Sequence, residues 1–219
     1  MSTSRTAIVA GATGLTGGHL LSKLLADKCY ARVTALVRKA SLPAHRKLSE
    51  IVVDFDALPV LPLANDAYCC LGTTIKKAGS QAAFRKVDFE FVLDFARAAK
   101  AARVKRFLVI SSLGASARSP IFYSRVKGEM ENALRELGFD ALHIFHPSLI
   151  LGEREEQRPA ERFGVAALGA MSKLLLGPMK KYRAIESATI ARAMICAATS
   201  NENGTHIYPS DMIETMAAG

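Results

Sequence analysis

Ala7-Ile8-Val9-Ala10 runs without a gap into Gly11-Ala12-Thr13-Gly14-Leu15-Thr16-Gly17. No other stretch constrains the fold as strongly. An apolar run that breaks into glycines and then opens an amphipathic segment reads as strand, tight turn, helix. Each glycine has a separate physical task. Gly11 lets the chain leave the strand at a dihedral other residues avoid. Gly14 lets a ligand approach the backbone where a side chain would collide. Gly17 lets the helix pack closely. The unpaired N–H groups of the helix start, together with the helix dipole, suit a pyrophosphate. The spacing G-x-x-G-x-x-G differs from the commoner G-x-G-x-x-G. The position directly after an apolar strand therefore carries the reading of a dinucleotide site.

The elements that follow alternate. Thr6 to Ala10 reads as the first strand. Leu15 to Ala26 reads as a helix with Leu20, Leu21, Leu24 and Leu25 on one face. Further strands are expected at Val33–Val37, Glu50–Val53, Asp66–Leu71, Arg106–Ile110 and Ala141–Phe145. A long helix is expected over Gln81–Ala101, with Val87, Phe91 and Phe95 at four-residue steps. Another spans Phe122–Leu137 and stops at Gly138. This order predicts an α/β fold, a doubly wound, Rossmann-like parallel sheet with helices on both faces. After Pro147 the pattern changes to a charged turn at Glu153–Pro159 and a small-residue-rich apolar stretch at Phe163–Met179. A helix over Thr189–Ala198 and a late strand at His206–Tyr208 complete the chain. No repeat or low-complexity linker divides it. One domain over 1–219 is expected, with a core at 5–147 and a small cap at 148–185 over the carboxyl edge of the sheet, where ligands bind in such folds.

At 219 residues the chain is long enough to bury a full core, so it needs no disulfide or metal staple. The cysteines Cys29, Cys69, Cys70 and Cys196 have no metal-ligand spacing. They read as reduced thiols, with Cys69 and Cys70 on opposite faces of a strand, and no metal is expected. The N-terminus lacks the apolar core of a signal peptide, and no run reaches membrane-spanning length, so a cytoplasmic protein without membrane insertion is expected. The net charge of +9 suits steering of a polyanionic small molecule. No aromatic-interleaved basic segment or zinc-finger spacing supports nucleic-acid binding. A homodimer is compatible with the chain.

In dinucleotide folds an acid at the end of the second strand bonds the adenosine 2′-hydroxyl, and a basic residue there accommodates a 2′-phosphate. Here the segment is Ala35-Leu36-Val37-Arg38-Lys39, with no acid in place. Arg38 can clamp a phosphate bidentately, which favours NADP(H). Asp54, past the third strand, is a candidate acceptor for the adenine amino group.

The fifth strand ends in Ser111-Ser112, and Tyr123-Ser124-Arg125-Val126-Lys127 opens the next helix. Tyrosine and lysine at i, i+4 share a helical face. Hydride chemistry at a carbonyl needs a proton donor for the developing alkoxide, and the reverse needs a base. A free phenol, with a pKa of about 10, is a poor base at neutral pH. An ammonium about 4 Å away at an effective dielectric of about 20 favours the phenolate by roughly 4 kcal/mol. Lys127 can thus bring Tyr123 toward its working range. A serine at the strand end can polarise the carbonyl. Ser112 is favoured, because its register past Ile110 carries it beyond the strand edge; Ser111 is its competitor. His146 before Pro147 reads as a structural residue.

With these residues in view the chain resembles the short-chain dehydrogenase/reductase superfamily in an extended or atypical form. More narrowly it resembles the Tat-interacting, metastasis-suppressor-like oxidoreductases. The resemblance rests on Gly11–Gly17, on Cys69-Cys70-Leu71-Gly72-Thr73-Thr74, on Tyr123-Ser124-Arg125-Val126-Lys127-Gly128-Glu129, and on Arg158-Pro159. It implies that Gly11, Thr13, Gly14, Leu15, Thr16 and Gly17 line a pyrophosphate site and that Arg38 meets a 2′-phosphate. It implies that Leu71, Gly72 and Thr73 line the ribose and nicotinamide side, and that Pro147 and Ser148 contact the nicotinamide. Ser112, Tyr123 and Lys127 match the superfamily's active-site set, the last two also touching cofactor. The expected activity is an NADP(H)-dependent oxidoreductase of a small carbonyl or alcohol. The alternative is a non-catalytic NADP(H)-sensing regulator of a protein partner.

Overall fold

The computed structural model describes residues 4–152, 177–200 and 202–219. Seven parallel strands form one sheet in the order β3-β2-β1-β4-β5-β6-β9. They are β1 (Arg5–Ala10), β2 (Tyr30–Val37), β3 (Leu48–Val52), β4 (Asp66–Cys69), β5 (Arg106–Ile110), β6 (Ala141–His146) and β9 (Gly204–Pro209). The expected doubly wound sheet is therefore present. Alternation along the strands separates two cores. Ala7 and Val9 face the layer made by α1 (Leu15–Ala26), α6 (Ser187–Thr199) and α7 (Ser210–Ala218). Ile8 and Ala10 face α4 (Phe91–Ala101) and α5 (Phe122–Glu136). Cys69 lies in the second core and Cys70 packs against the first, as the register of a strand requires.

The chain steps outward from β1 to β2 on one side and to β4 on the other. The loops after β1 and β4 therefore diverge at the sheet's carboxyl edge, the place where such folds bind ligands. β4 ends at Cys69, two residues before the expected Leu71. On the β1 side the partner turns away at Gly11: Cys70 N–H still reaches Ala10 O at 2.9 Å, the last residue of β1.

Three further departures have local causes. The helix expected over 81–101 is broken into α3 (Gln81–Arg85), a π-helical turn (Lys86–Glu90) and α4. Its buried stripe runs through Phe84, Asp88, Val92, Ala96 and Ala99, while Val87 and Phe91 are only half-buried. β2 begins at Tyr30, whose hydroxyl is buried on Asp66 at 2.9 Å and on Tyr68 at 2.7 Å. Arg5 completes this cluster with a 2.8 Å bond from Nε to Asp66, and it closes the edge of the sheet opposite the glycine turn. The third departure is α7, which follows β9 directly and covers the first core with Ile213 and Ala217.

Of the cap expected at 148–185, residues 153–176 lie outside the described residues. That holds most of the Phe163–Met179 stretch and Arg158-Pro159. The described parts are a two-stranded parallel ribbon, β7 (Ile150–Leu151) on β8 (Ile185–Glu186), and a short 3-10 turn over Gly177–Tyr182. Ile185 enters the first core. A Cβ on Gly152 would stand 2.8 Å from Leu15 Cδ1 and 2.9 Å from Ser187 Oγ, so the chain after β7 lies tight against the starts of α1 and α6.

Candidate functional site

Gly11 has φ +82°, the conformation that favours glycine, and a Cβ there would sit 2.5 Å from the Cys70 carbonyl oxygen. The two diverging loops thus touch backbone to backbone. Gly14 N–H donates to Gly11 O at 3.0 Å and closes the turn. A Cβ on Gly17 would stand 2.0 Å from Gly11 O, so the first turn of α1 packs on the glycine turn itself. Gly14 is the α1 N-cap, without side-chain capping, and no acid stands in the first turn. Thr13 and Gly14 are exposed at the lip, Leu15 is half-buried and Thr16 is buried. The result is a backbone cradle at a helix N-terminus, open to an anion.

Arg38 is exposed one residue past the end of β2. Asp54 is exposed too, and its Oδ1 accepts Asp56 N–H at 3.0 Å, which makes it a turn residue. Leu71, Gly72 and Thr73 follow β4 across from Gly11. Burial pushes the Cys69 thiol up to about 12, and burial also raises that of Cys70, so neither is a nucleophile at neutral pH.

The pairing of β5 with β6 continues past both strand ends. Ser111 N–H donates to Phe145 O at 2.8 Å and Leu113 N–H to Pro147 O at 3.0 Å. Ser111, Ser112 and the buried Pro147 are thereby set side by side. The two serines differ. Ser111 Oγ donates to Glu131 Oε1 at 2.5 Å. Ser112 is 7% exposed and its Oγ has no hydrogen-bond partner among the described residues. Ser148 is engaged elsewhere. Its N–H donates to Ser210 Oγ at 2.9 Å and its hydroxyl to Arg183 O.

Tyr123 and Lys127 lie on the first turns of α5. The Tyr123 ring stands 5.3 Å from that of Phe84. Gly128 lets α5 press on the preceding loop, since a Cβ there would fall 2.2 Å from Ala117 N. The Lys127 ammonium is buried and bonded to Asp88 Oδ1 at 2.7 Å. Burial opposes its charge, but Asp88, Tyr123 and Cys69 outweigh burial and leave its pKa raised.

Two site residues were not found from the sequence. Asp88 accepts Lys127 on one oxygen and Thr73 N–H on the other, at 2.8 Å. Its one sequence signal is a charge four residues from Phe84 and four from Val92, in the middle of a buried stripe. Glu131 gathers Ser111 and His146 on Oε1, the latter at 2.7 Å, and Arg135 on Oε2 at 3.2 Å. Glu131 follows Lys127 by one helical turn, which places it on the same face.

Comparison with known proteins places the chain in a family. A family described as NAD(P)H-binding matches residues 11–164. Rat protein HTATIP2 is 34% identical over 199 residues, covering 88% of this chain and 80% of the rat protein. The protein fmp52, mitochondrial, of Emericella nidulans is 34% identical over 226 residues, covering 93% of this chain and 95% of its own. Among solved structures, MoeE5 in complex with UDP-glucose and NAD superposes with TM-score 0.69 at 16% identity, covering 97% of this chain and 81% of that one. Human epimerase family protein SDR39U1 with NADPH gives 0.65 at 18%, covering 93% and 74%.

Proposed function

This chain belongs to an NAD(P)H-binding, oxidoreductase-like family, and from that premise we propose that it is an NADP(H)-dependent oxidoreductase of small carbonyl or alcohol substrates. The observation that carries the reading is the difference between the serines. Among the described residues the buried Ser112 hydroxyl has no hydrogen-bond partner, while Ser111 is held by Glu131. A buried unsatisfied hydroxyl costs about 1–3 kcal/mol, and a substrate oxygen would relieve that cost.

The cradle fits a dinucleotide: backbone fills the space a Cβ would need at Gly11 and Gly17. Gly11, Thr13, Gly14, Leu15, Thr16 and Gly17 would hold the pyrophosphate, and Arg38 a 2′-phosphate. Asp54 would keep its second oxygen for the adenine. Leu71, Gly72, Thr73, Pro147 and Ser148 would border the nicotinamide side, with the Ser148 hydroxyl bonded to the Arg183 carbonyl. When bound, the nicotinamide supplies or accepts a hydride at the substrate carbon. Ser112 donates its O–H to the substrate oxygen and orients it. Tyr123 gives its phenolic proton to that oxygen during reduction and takes it back during oxidation. Lys127, kept protonated by Asp88, stabilises the phenolate as the proton leaves.

The four cysteines are free thiols, which is compatible with a reducing compartment. A cytoplasmic location is our reading, against the mitochondrial label of the fmp52 relatives; fractionation of the native protein decides between them. Among the described residues no helix is long and apolar enough to cross a membrane. A homodimer is the assembly to test, by sedimentation.

Calorimetric titration with NADPH, NADP and NADH, followed by a carbonyl panel, tests the function. The expected result is NADPH binding and turnover that falls by at least about 10²-fold in Tyr123→Phe, with NADPH binding kept. Full turnover in that variant sinks the assignment of Tyr123. Binding without turnover on any carbonyl favours the NADP(H)-sensing regulator, and no dinucleotide binding overturns both.

A further inference from the structure

We propose that His146 is a specificity-determining residue for the redox state of the cofactor: by taking up a proton it sets a positive charge beside the nicotinamide and biases the site toward NADPH over the oxidised form, NADP+. The inference rests on the dinucleotide reading of the site and adds a residue that tells two forms of one cofactor apart.

The position comes from β6. His146 is its last residue, directly before Pro147, and pairs with Pro209 of β9. Strand alternation puts it with Leu142 and Ile144 on the face toward α5. There its Nε2 meets Glu131 Oε1 at 2.7 Å, with side chains 13% and 4% exposed. Ser111 Oγ donates to the same oxygen, and Arg135 donates to Oε2 at 3.2 Å. Because the carboxylate oxygen accepts, Nε2 carries a hydrogen whether the ring is neutral or charged, and charging adds the second proton at Nδ1. The bond to Glu131 survives the change, so the ring keeps its place while its charge alters. His146 thus does more than its position before a proline suggests.

The charged groups that face the ring, Glu131 and Arg135, come from α5 and offset each other. With a neutral imidazole the three side chains sum to no charge, and with an imidazolium they sum to one positive charge. Lys127, one turn before Glu131, is held by Asp88. Ser111 past the end of β5 and Pro209 on β9 do not titrate. Arg106, His143 and His206 point to the opposite face of the sheet, with Leu108, Phe145 and Tyr208. Arg192 of α6 and Asp211 and Glu214 of α7 belong to the helix layer on that face. The ring's own proton therefore decides the charge under Pro147. Histidine is the side chain that ordinarily exchanges its proton near neutrality. The nicotinamide of NADP+ is itself positive and that of NADPH is neutral, so an imidazolium at the border repels only the oxidised form.

The test is the ratio of the NADP+ and NADPH dissociation constants, measured by calorimetry on the full chain between about pH 6 and pH 8.5. Both forms carry the same 2′-phosphate, so its proton exchange near about pH 6 cancels in the ratio. In the wild type the ratio should rise roughly threefold or more toward the acid end. In His146→Gln, whose amide can still donate to Glu131, it should stay flat at the alkaline level. In His146→Arg, which is always charged, it should stay flat at the acid level or above. A purely structural His146 would move the melting temperature and both affinities together and leave the slope of the ratio alone. A flat wild-type ratio, or a slope kept in His146→Gln, overturns the proposal. If neither variant folds, the wild type still decides by linkage. NADP+ binding should release more protons than NADPH binding, read from the dependence of the binding enthalpy on the buffer, and equal release overturns the proposal. A wild-type protein that binds neither dinucleotide overturns the function beneath it, and shows this before any variant is made.

Discussion

Ser111 Oγ and Glu131 Oε1 meet at 2.5 Å inside the layer between the sheet and α5, a bond between residues twenty positions apart. The same oxygen takes His146, so the ends of β5 and β6 are tied to one carboxylate. This divides the labour between neighbouring serines. Ser111→Ala should cost about 1–3 kcal/mol of stability and change turnover only a few-fold. Ser112→Ala removes a buried hydroxyl that has no partner among the described residues, so stability should hold or rise while turnover falls about 10²–10³-fold. Urea denaturation and NADPH consumption, measured on both variants, check this. The opposite pattern would transfer the active-site role to Ser111.

Arg38 stands exposed beyond β2, with no acidic residue in the adjoining Val37–Ala40 stretch. A charge-assisted contact to a 2′-phosphate is worth roughly 1.5–3 kcal/mol. Arg38→Ala should therefore weaken NADPH binding by roughly 10- to 150-fold and leave NADH binding unchanged. Equal weakening of both cofactors in calorimetry would reduce Arg38 to a general source of positive field.

Gly17 and Gly18 are adjacent in α1 and should respond in opposite directions. A Cβ on Gly17 would stand 2.0 Å from the Gly11 carbonyl oxygen, so Gly17→Ala must push helix and turn apart. It should cost about 1–3 kcal/mol or more and abolish dinucleotide binding. A Cβ on Gly18 would meet Ala12 O at 3.8 Å, an ordinary contact. Gly18→Ala should stabilise by roughly 0.5–1 kcal/mol and keep binding. Thermal melts with and without NADPH separate the two.

His143 makes a pH prediction. It is fully buried in β6, with Nδ1 2.9 Å from the Tyr208 hydroxyl and its ring stacked 5.3 Å from His206. Burial, then His206 and Arg106, bring its pKa down to about 4. Above about pH 6.5 the ring is neutral in folded and unfolded chains alike. Between there and pH 4 the unfolded chain takes the proton and the folded one does not. Stability therefore falls as pH falls through this window, with a ceiling of about 1.4 kcal/mol per pH unit for one proton. Urea midpoints at pH 7 and pH 5 should differ less in His143→Gln than in the wild type. An identical pH dependence would mean other groups carry the acid lability.

Local chemistry accounts for most of what was legible beforehand. Gly11 at positive φ, the 15–26 helix and the 106–110 strand each follow from periodicity or from a residue's own dihedral preference. The Tyr123–Lys127 pair follows from helical spacing in the same way. Helix α7 does not stand out in the sequence because it is only nine residues long, too few for a clear period. The π-helical turn was missed because Val87, Phe91 and Phe95 suggested an uninterrupted apolar stripe.

Legible in the chain alone are the strand–turn–helix cradle, the alternation that demands a parallel sheet, and the Tyr123–Lys127 pair with the adjacent serines Ser111 and Ser112. Tertiary packing fixes which serine is bonded, that Ser148 is bonded to Ser210 and Arg183 while Asp54 bonds within its own turn, and that Asp88 and Glu131 lie against the candidate site residues. The physical reason is range. Backbone preference and side-chain period act over a few residues. Thr73–Asp88–Lys127 and Ser111–Glu131–His146 join groups from separate elements, and those meet only when both helix layers are packed on the sheet.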